Sequence, residues 1–542
     1  MTKEEWKSFR GSKAVPDHIM LTVNGDPAHT MTVTWRTSTD IESGYALYRK
    51  CGSGGEWMHA DARSLQFKTD MDESRYYFAD MSGLNADTEY EYTVGNDAYR
   101  SEIIAFKSAR ENFSKFSFIC VSDIQTGDAE PPADYTEFGE VLKKALEEHP
   151  EAEFILTAGD NTNCGGTDIQ WTGLLDGIKD IICRKPFMMA LGNHDGFQFK
   201  DYYTKEGKFY PELPEYFYNQ FRYSYAQNGP EGFKTVNYAF DYGNAHFNIL
   251  GVSAYEKMNE WLIEDIGKNG KMWNFGVHHF PICYTSPALE NEDSYPALRD
   301  GLEKCDLVFS GHEHSFSRSY PRRKDGLYDK PSQGTVHYNM ASGNRNPPGC
   351  RSVQKVWNAA TYRHEEDLST FYIVDIDGAK ATFTAYVEDG RIFDRCVIDK
   401  QNDVILPYAC APVFNKPRLT FKGYDLGLAN EHTLPVKVDG VWYIAPGPLV
   451  SFLGGEVMRT EGKINVKVFD RDVTFCENSR VIITEDGEKE MKLPCLRLTR
   501  GQLFAPLDDA GEALGMHPFC FEHNNFITLE SENEDRPLPE QP

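Results

Sequence analysis

The chain has 542 residues, 40% of them hydrophobic and 13% aromatic, a composition that builds packed cores and excludes a disordered or fibrous protein. Lys and Arg number 56 against 83 Asp and Glu, and the net charge of −27 argues against nonspecific binding to nucleic acid or to an anionic membrane surface. No apolar run reaches the roughly 18 residues that a membrane-spanning helix needs, so no span is expected.

At roughly 100–200 residues per domain, the length predicts about three domains. The 12 cysteines are scattered between Cys51 and Cys520 without a CxxC pair. That spacing argues against a zinc finger and favours buried free thiols in a reduced compartment. The N-terminus, Met1-Thr2-Lys3-Glu4-Glu5-Trp6, lacks the basic-then-apolar layout of a signal peptide. As written the chain reads as cytoplasmic; if a leader has been removed, it reads as extracellular.

Residues 16–110 read as an all-β domain. Met31-Thr32-Val33-Thr34-Trp35 alternates as a half-buried strand does, and Tyr76–Phe78 and Tyr90–Val94 predict further strands. The segment from Leu84 to Tyr90 resembles the tyrosine corner of fibronectin type III and immunoglobulin-like sandwiches.

Residues 114–400 change to alternating strands and helices, which predicts a layered α/β domain. Phe116–Val121 and Phe154–Ala158 read as buried strands. Between them Tyr135–Glu148 has helical periodicity, with Phe138, Val141, Leu142 and Ala145 on one face. Residues 400–430 read as a connector, and 431–530 as a small β-rich domain with a weak internal repeat. Trp442-Tyr443-Ile444-Ala445-Pro446 is echoed by Leu503-Phe504-Ala505-Pro506, each followed by a short helix-like run ending at Leu453-Gly454 or Leu514-Gly515. The tail after Glu530 is acidic and proline-rich and is expected to be disordered.

Within 114–400, five apolar runs each end in residues able to bind metal. They lead into Asp123-Ile124-Gln125, Gly159-Asp160, Gly192-Asn193-His194-Asp195, His278-His279-Phe280-Pro281 and Gly311-His312-Glu313-His314. In α/β sheets, sites form beyond the carboxyl ends of strands, so five strand ends can converge on one point. Carboxylates neutralise and bridge ions, imidazoles suit transition metals, and amide oxygens add neutral ligands. His312-Glu313-His314, read as an extended turn, sends two imidazoles the same way. Glycines before Asp160, Asn193 and His312 allow close backbone approach.

This ordered set resembles the calcineurin-like metallophosphoesterase superfamily, and with the preceding sandwich it is most similar to the purple acid phosphatases. The resemblance implies a multidomain chain: a β-sandwich, a four-layer α/β/β/α catalytic domain, then a small α+β repeat domain. It also implies two divalent or transition metal ions (Mn, Fe or Zn) about 3–4 Å apart. Asp160 would bridge them. Asp123 and His314, with Gln125, would hold the first ion, and Asn193, His279 and His312 the second. A hydroxide formed at these ions would attack a small phosphomonoester or phosphodiester. His194, oriented by Asp195 or by a neighbouring carbonyl, would protonate the leaving group. Purple enzymes carry a tyrosine ligand where this chain has Asn163, so the charge-transfer colour should be missing. Gln125 resembles the first motif of some manganese-dependent diphosphatases, which makes a nucleotide or sugar diphosphatase an alternative, and a surface-binding protein with a vestigial catalytic domain is another. His278, Tyr284, Arg318 and Arg345 are candidate substrate contacts. The C-terminal region resembles the copper amine oxidase N-terminal-like domain, which implies attachment to a surface or cell wall. Its dispersed histidines, His432, His517 and His523, suggest no copper site.

Overall fold

The computed structural model describes residues 2–126, 133–196, 213–285, 294–324, 326–345, 357–362, 368–408, 417–421, 424–425, 433–498, 501–521 and 526–531. They form two compact units, one reaching to about residue 409 and one made chiefly of the residues after it.

The first unit opens with a short helix, α1 (Lys3–Arg10), closed by a capping box between Thr2 and Glu5. Seven strands follow: β1 (Asp17–Thr22), β2 (Thr30–Ser38), β3 (Tyr45–Lys50), β4 (Met58–Lys68), β5 (Glu73–Ser82), β6 (Glu89–Gly95) and β7 (Ile104–Lys107). They are ordered β1-β2-β5-β4-β3-β6-β7. The long β4 pairs with β3 through its first residues and with β5 through the rest, so the sheet folds over into a sandwich. Trp35 stacks on Tyr77 inside it with ring centroids 5.1 Å apart. Tyr90 is buried and its hydroxyl accepts the Asn85 N–H at 2.8 Å, the bond expected of a tyrosine corner.

β2 alternates as the sequence predicts, but it is buried on both faces rather than one. Met31, Val33 and Trp35 fill the sandwich, while Thr32, Thr34 and Arg36 lie under other parts of the unit. Polar side chains suit that second face because each finds a partner there. Thr34 Oγ1 pairs with Ser224 Oγ at 2.7 Å, and Arg36 makes a bidentate contact with Asp17 at 2.8–2.9 Å.

The rest of the first unit holds two seven-stranded sheets. One contains β8 (Lys115–Val121), β9 (Ala152–Ala158) and β10 (Phe187–Ala190), which run parallel to one another, together with four antiparallel strands between Thr370 and Tyr408. Its last strand, Val404–Tyr408, lies in what the sequence presents as connector. The other sheet contains β11 (Tyr238–Tyr242), β12 (Ala245–Leu250), β13 (Trp273–His278) and β14 (Leu307–Ser310), the last three parallel. Phe118 of the first sheet meets Phe247, Phe275 and Phe309 of the second at 5.4–6.3 Å, so the sheets pack face to face over an aromatic core. α2 (Thr136–Glu148) buries Phe138, Leu142 and Ala145 on the first sheet, leaving Val141 half-buried. α3 (Asp168–Gly177) is buried over most of its length, and the Trp6 indole of α1 donates to Asp168 at its start at 3.1 Å.

In the second unit the internal repeat becomes a paired structure. The strand Val441–Ile444 runs antiparallel to Leu503–Pro506, with Tyr443 opposite Pro506 and Ile444 opposite Ala505. Helices Pro446–Phe452 and Leu507–Ala513 follow the two strands. Each is followed by a glycine at positive φ, Gly454 at 79° and Gly515 at 72°. Arg418–Phe421 also belongs here, pairing with Phe526–Ser531. His432, His523 and the tail beyond Ser531 lie outside the described residues.

Seven of the ten described cysteines are buried. Among the described residues, no helix is long and apolar enough to cross a membrane.

Candidate metal centre

The five motifs follow β8, β9, β10, β13 and β14, and the fold brings them together at the carboxyl ends of those parallel strands. The backbone turns sharply to do so. Asp123, Asp160, His312 and His314 all adopt left-handed φ, between 50° and 74°. For residues other than glycine this conformation costs on the order of 1–3 kcal/mol each and persists only where surrounding structure imposes it. Backbone bonds lace the strand ends: Asp123 N–H donates to Gly159 O, Gln125 N–H to Asp160 O and Gly311 N–H to His279 O, all at 2.9–3.1 Å.

Asp160 is the hub. Its Oδ1 accepts the His194 N–H at 2.8 Å, while Oδ2 lies 3.0 Å from His279 Nε2 and 4.0 Å from His194 Nε2. His279 Nδ1 contacts the Ala158 carbonyl at 2.8 Å. A carbonyl can only accept, so Nδ1 carries a proton and Nε2 presents its lone pair to Asp160. Two acceptor atoms 3.0 Å apart call for a cation, either a proton or a metal ion. Burial opposes charge here, yet Asp160 raises His279 to about 9, and the imidazoles of His279 and His194 hold the Asp160 carboxyl well below the usual carboxylate range. His312 completes this group: one ligand atom each from Asp160, His279 and His312 lies within 4.8 Å of the others. Burial and the neighbouring His279 lower His312 to about 4, which keeps it in the neutral form that binds metals. Asn193 Oδ1 beside them is buried without a hydrogen-bond partner, as a carbonyl oxygen reserved for an ion would be.

A second group stands next to the first. His314 Nε2 lies 3.4 Å from Asp123 Oδ1 and 3.3 Å from Gln125 Nε2, and Asp123 and Gln125 are both buried. Both carboxylate oxygens of Asp123 accept the His312 N–H. The His312–His314 segment is not the extended turn read from the sequence; its two histidines sit at positive φ. Glu313 nevertheless points away from them into the interior, accepting from Thr285 N–H at 2.7 Å and Asn339 Nδ2 at 2.6 Å.

Residues 16–108 match the family model of the purple acid phosphatase N-terminal domain, and residues 116–316 match that of the calcineurin-like phosphoesterases. The chain thus carries a purple acid phosphatase N-terminal domain followed by a calcineurin-like phosphoesterase domain. It is 22% identical over 437 residues to probable inactive purple acid phosphatase 1 of Arabidopsis thaliana, covering 70% of this chain and 68% of that one. It is also 22% identical to Arabidopsis purple acid phosphatase 22, over 55% of this chain and 65% of the relative. The chain thus spans about two thirds of the length of these relatives. The structure of a purple acid phosphatase from yellow lupin (Lupinus luteus) seeds superposes with a TM-score of 0.58 at 16% identity, covering 74% of this chain and 79% of that one, which shows a shared fold. Enzymes of this family use a di-metal centre, and the donor set here fits one. The matches support a phosphoric ester hydrolase.

Several side chains of this phosphoesterase stand elsewhere than the sequence suggests. Asp195 does not orient the His194 ring. Its carboxylate accepts from Asn161, Thr162 and Gly192 at 2.8–3.2 Å and so ties two ligand loops together. Burial, then the Asp160 charge, push Asp195 up to about 6. The alternative partner is the one observed: His194 Nδ1 contacts the Asn163 carbonyl at 2.9 Å. His278 is fully buried, with ring nitrogens sealed from solvent and edge-on contacts to Tyr255 and Phe280, so it is no substrate contact. Tyr284 is buried as well.

Arg318 is not a phosphate clamp. It is paired bidentately with Asp394 at 2.9 and 3.1 Å, both side chains essentially inaccessible. Arg345 reaches Glu388 at 2.6 Å and Glu137 at 3.7 Å. Arg318→Ala would strand a buried carboxylate and should lower stability by about 3–5 kcal/mol, readable as a lower midpoint in urea, whereas a clamp would lose affinity for substrate at unchanged stability. The supports that sequence reading missed are polar residues on the far side of the ligand loops. Ser342 Oγ donates to Asp123 O at 2.6 Å, and Gly343 N–H donates to Ser122 O at 2.7 Å. Their only mark in the sequence is a Ser-Gly-Asn stretch after an apolar strand.

Proposed function

We propose that the protein is a metal-dependent phosphoesterase hydrolysing small phosphomonoesters or phosphodiesters. The observation that carries this reading is the Asp160 cluster, in which one buried carboxylate is shared among His279, His312 and the His194 backbone, beside a second buried group around Asp123. Asp160 would bridge two ions; Asp123, His314 and Gln125 would hold one, and Asn193, His279 and His312 the other. When bound, the ions supply positive charge for the phosphate oxygens and bring the pKa of water toward neutrality. Asn163 offers no tyrosinate, which favours divalent Mn, Fe or Zn over ferric iron. His194, half-buried with Nδ1 anchored and Nε2 toward the site, is suited to give a proton to the leaving oxygen. The complete donor set supports a working centre rather than a vestigial one.

The test is reconstitution of metal-stripped protein with Mn²⁺, Zn²⁺, Fe²⁺ or Co²⁺ on a panel of monoesters, diesters and diphosphates. Absence of bound metal together with absence of turnover for every ion would overturn the reading, and preference for the diphosphates would move it to the alternative that Gln125 raises. His194→Ala should lower kcat on an alkyl phosphate by about 10²–10⁴-fold while leaving metal content intact. Full activity of that variant on an alkyl phosphate would remove the acid role.

A further inference from the structure

The carbonyl that holds the His194 ring belongs to a loop, and the loop is itself held by the first turn of α3. Gln170 is 1% exposed, and its Oε1 accepts the Asn163 N–H at 3.1 Å and the Tyr135 hydroxyl at 2.9 Å. The next residue, Trp171, donates its indole N–H to Gly165 O at 2.7 Å, and Gly165 N–H donates to the His194 carbonyl at 2.8 Å. The peptide carrying the Asn163 carbonyl is therefore pinned on both sides, at Asn163 N–H by Gln170 and at Gly165 by Trp171 and His194. The Thr167 N–H bond to Cys164 O at 3.1 Å closes the turn between them.

We propose that Gln170 is a positioning residue for His194, acting through Asn163 and braced by Tyr135. This inference rests on the phosphoesterase reading with His194 as acid. The Gln170 oxygen aims the Asn163 carbonyl at His194 Nδ1. That contact keeps the Nδ1 proton in place and fixes the ring so that Nε2 faces the substrate. Loss of the oxygen lets the ring turn without touching any metal ligand. A misplacement of about 1 Å can cost up to about 10²-fold in rate.

An acid matters most where the leaving oxygen is a poor leaving group and hardly at all where it departs as a stable anion. The experiment compares Gln170→Met, similar in size but without the acceptor, with wild type on an alkyl phosphate and on p-nitrophenyl phosphate, alongside bound-metal analysis. The expected result is a fall in kcat of about 10-fold or more on the alkyl ester, less than about 2-fold on the aryl ester, with KM and metal content unchanged. Gln170→Glu, which keeps an acceptor oxygen, should recover most of the alkyl rate, and Tyr135→Phe should give a weaker loss of the same kind. Equal losses on both esters, or loss of metal, would make Gln170 merely structural and overturn the proposal. His194→Ala measured in parallel separates the two readings. If it slows both esters equally, the acid assignment fails. If it shows the leaving-group dependence and Gln170→Met does not, the positioning role alone fails.

Discussion

Asp160→Ala is expected to strip both ions and to lower kcat/KM by on the order of 10³-fold or more. Asp160 has both carboxylate oxygens engaged with the group around His279, Oδ1 by the His194 N–H and Oδ2 beside His279 Nε2. Removing the carboxylate takes the shared charge from both ion positions at once. It also removes the interaction that raises His279 to about 9. Burial would then favour neutral His279, leaving three imidazoles and no anion in the group that Asp160, His279 and His312 form with His194. Asp160→Asn keeps the hydrogen bond to His194 and the left-handed turn that asparagine tolerates, so it should hold the loop while still losing metal. The measurement is ion stoichiometry by elemental analysis beside steady-state kinetics on one ester. Two ions per chain and unimpaired turnover in Asp160→Asn would rule out the bridging role.

Five strand ends were visible in the sequence because the same apolar runs that make buried parallel strands stop abruptly at polar, metal-binding residues. Once Phe116–Val121, Phe154–Ala158 and Phe187–Leu191 are parallel neighbours in one sheet, their following residues must share an edge. The choice of His279 over His278 follows from the resemblance, which sets the ligand two residues before a proline, here Pro281. His278 ends β13 with its ring in the interior, and the next residue turns toward Asp160. What stayed hidden depends on partners far away in the chain. Arg318 meets Asp394 across 76 residues, and nothing local marks it as buried. Asp195 looks like a catalytic neighbour of His194, but its role comes from donors at Asn161 and Thr162, 33–34 residues earlier. The double burial of β2 was equally hidden, since an alternating strand reads as half exposed until a second surface covers its threonines.

The glycine motifs lead to the other large effect, Gly192→Ala, which should weaken metal binding by about 10²-fold or more without unfolding the chain. A Cβ on Gly192 would stand 2.1 Å from Asp160 Oδ1 and 2.4 Å from the Asp160 backbone nitrogen, distances that no rotamer change relieves. The loop cannot back away cheaply either. The Gly192 N–H donates to Asp195 Oδ2 at 2.9 Å, and the same carboxylate fastens Asn161 and Thr162 directly after Asp160. Retreat of Gly192 breaks that bond in a buried place, and retreat of Asp160 moves the oxygen shared by both ion positions. Either response displaces Asn193, whose buried Oδ1 follows one residue later. Gly270→Ala supplies the comparison, since a Cβ there meets no atom within 4 Å and the position is exposed. Metal titration of both variants, with circular dichroism to confirm folding, reads the difference. If Gly192→Ala bound both ions as tightly as Gly270→Ala, the close approach of this strand end to Asp160 would not set the geometry of the centre.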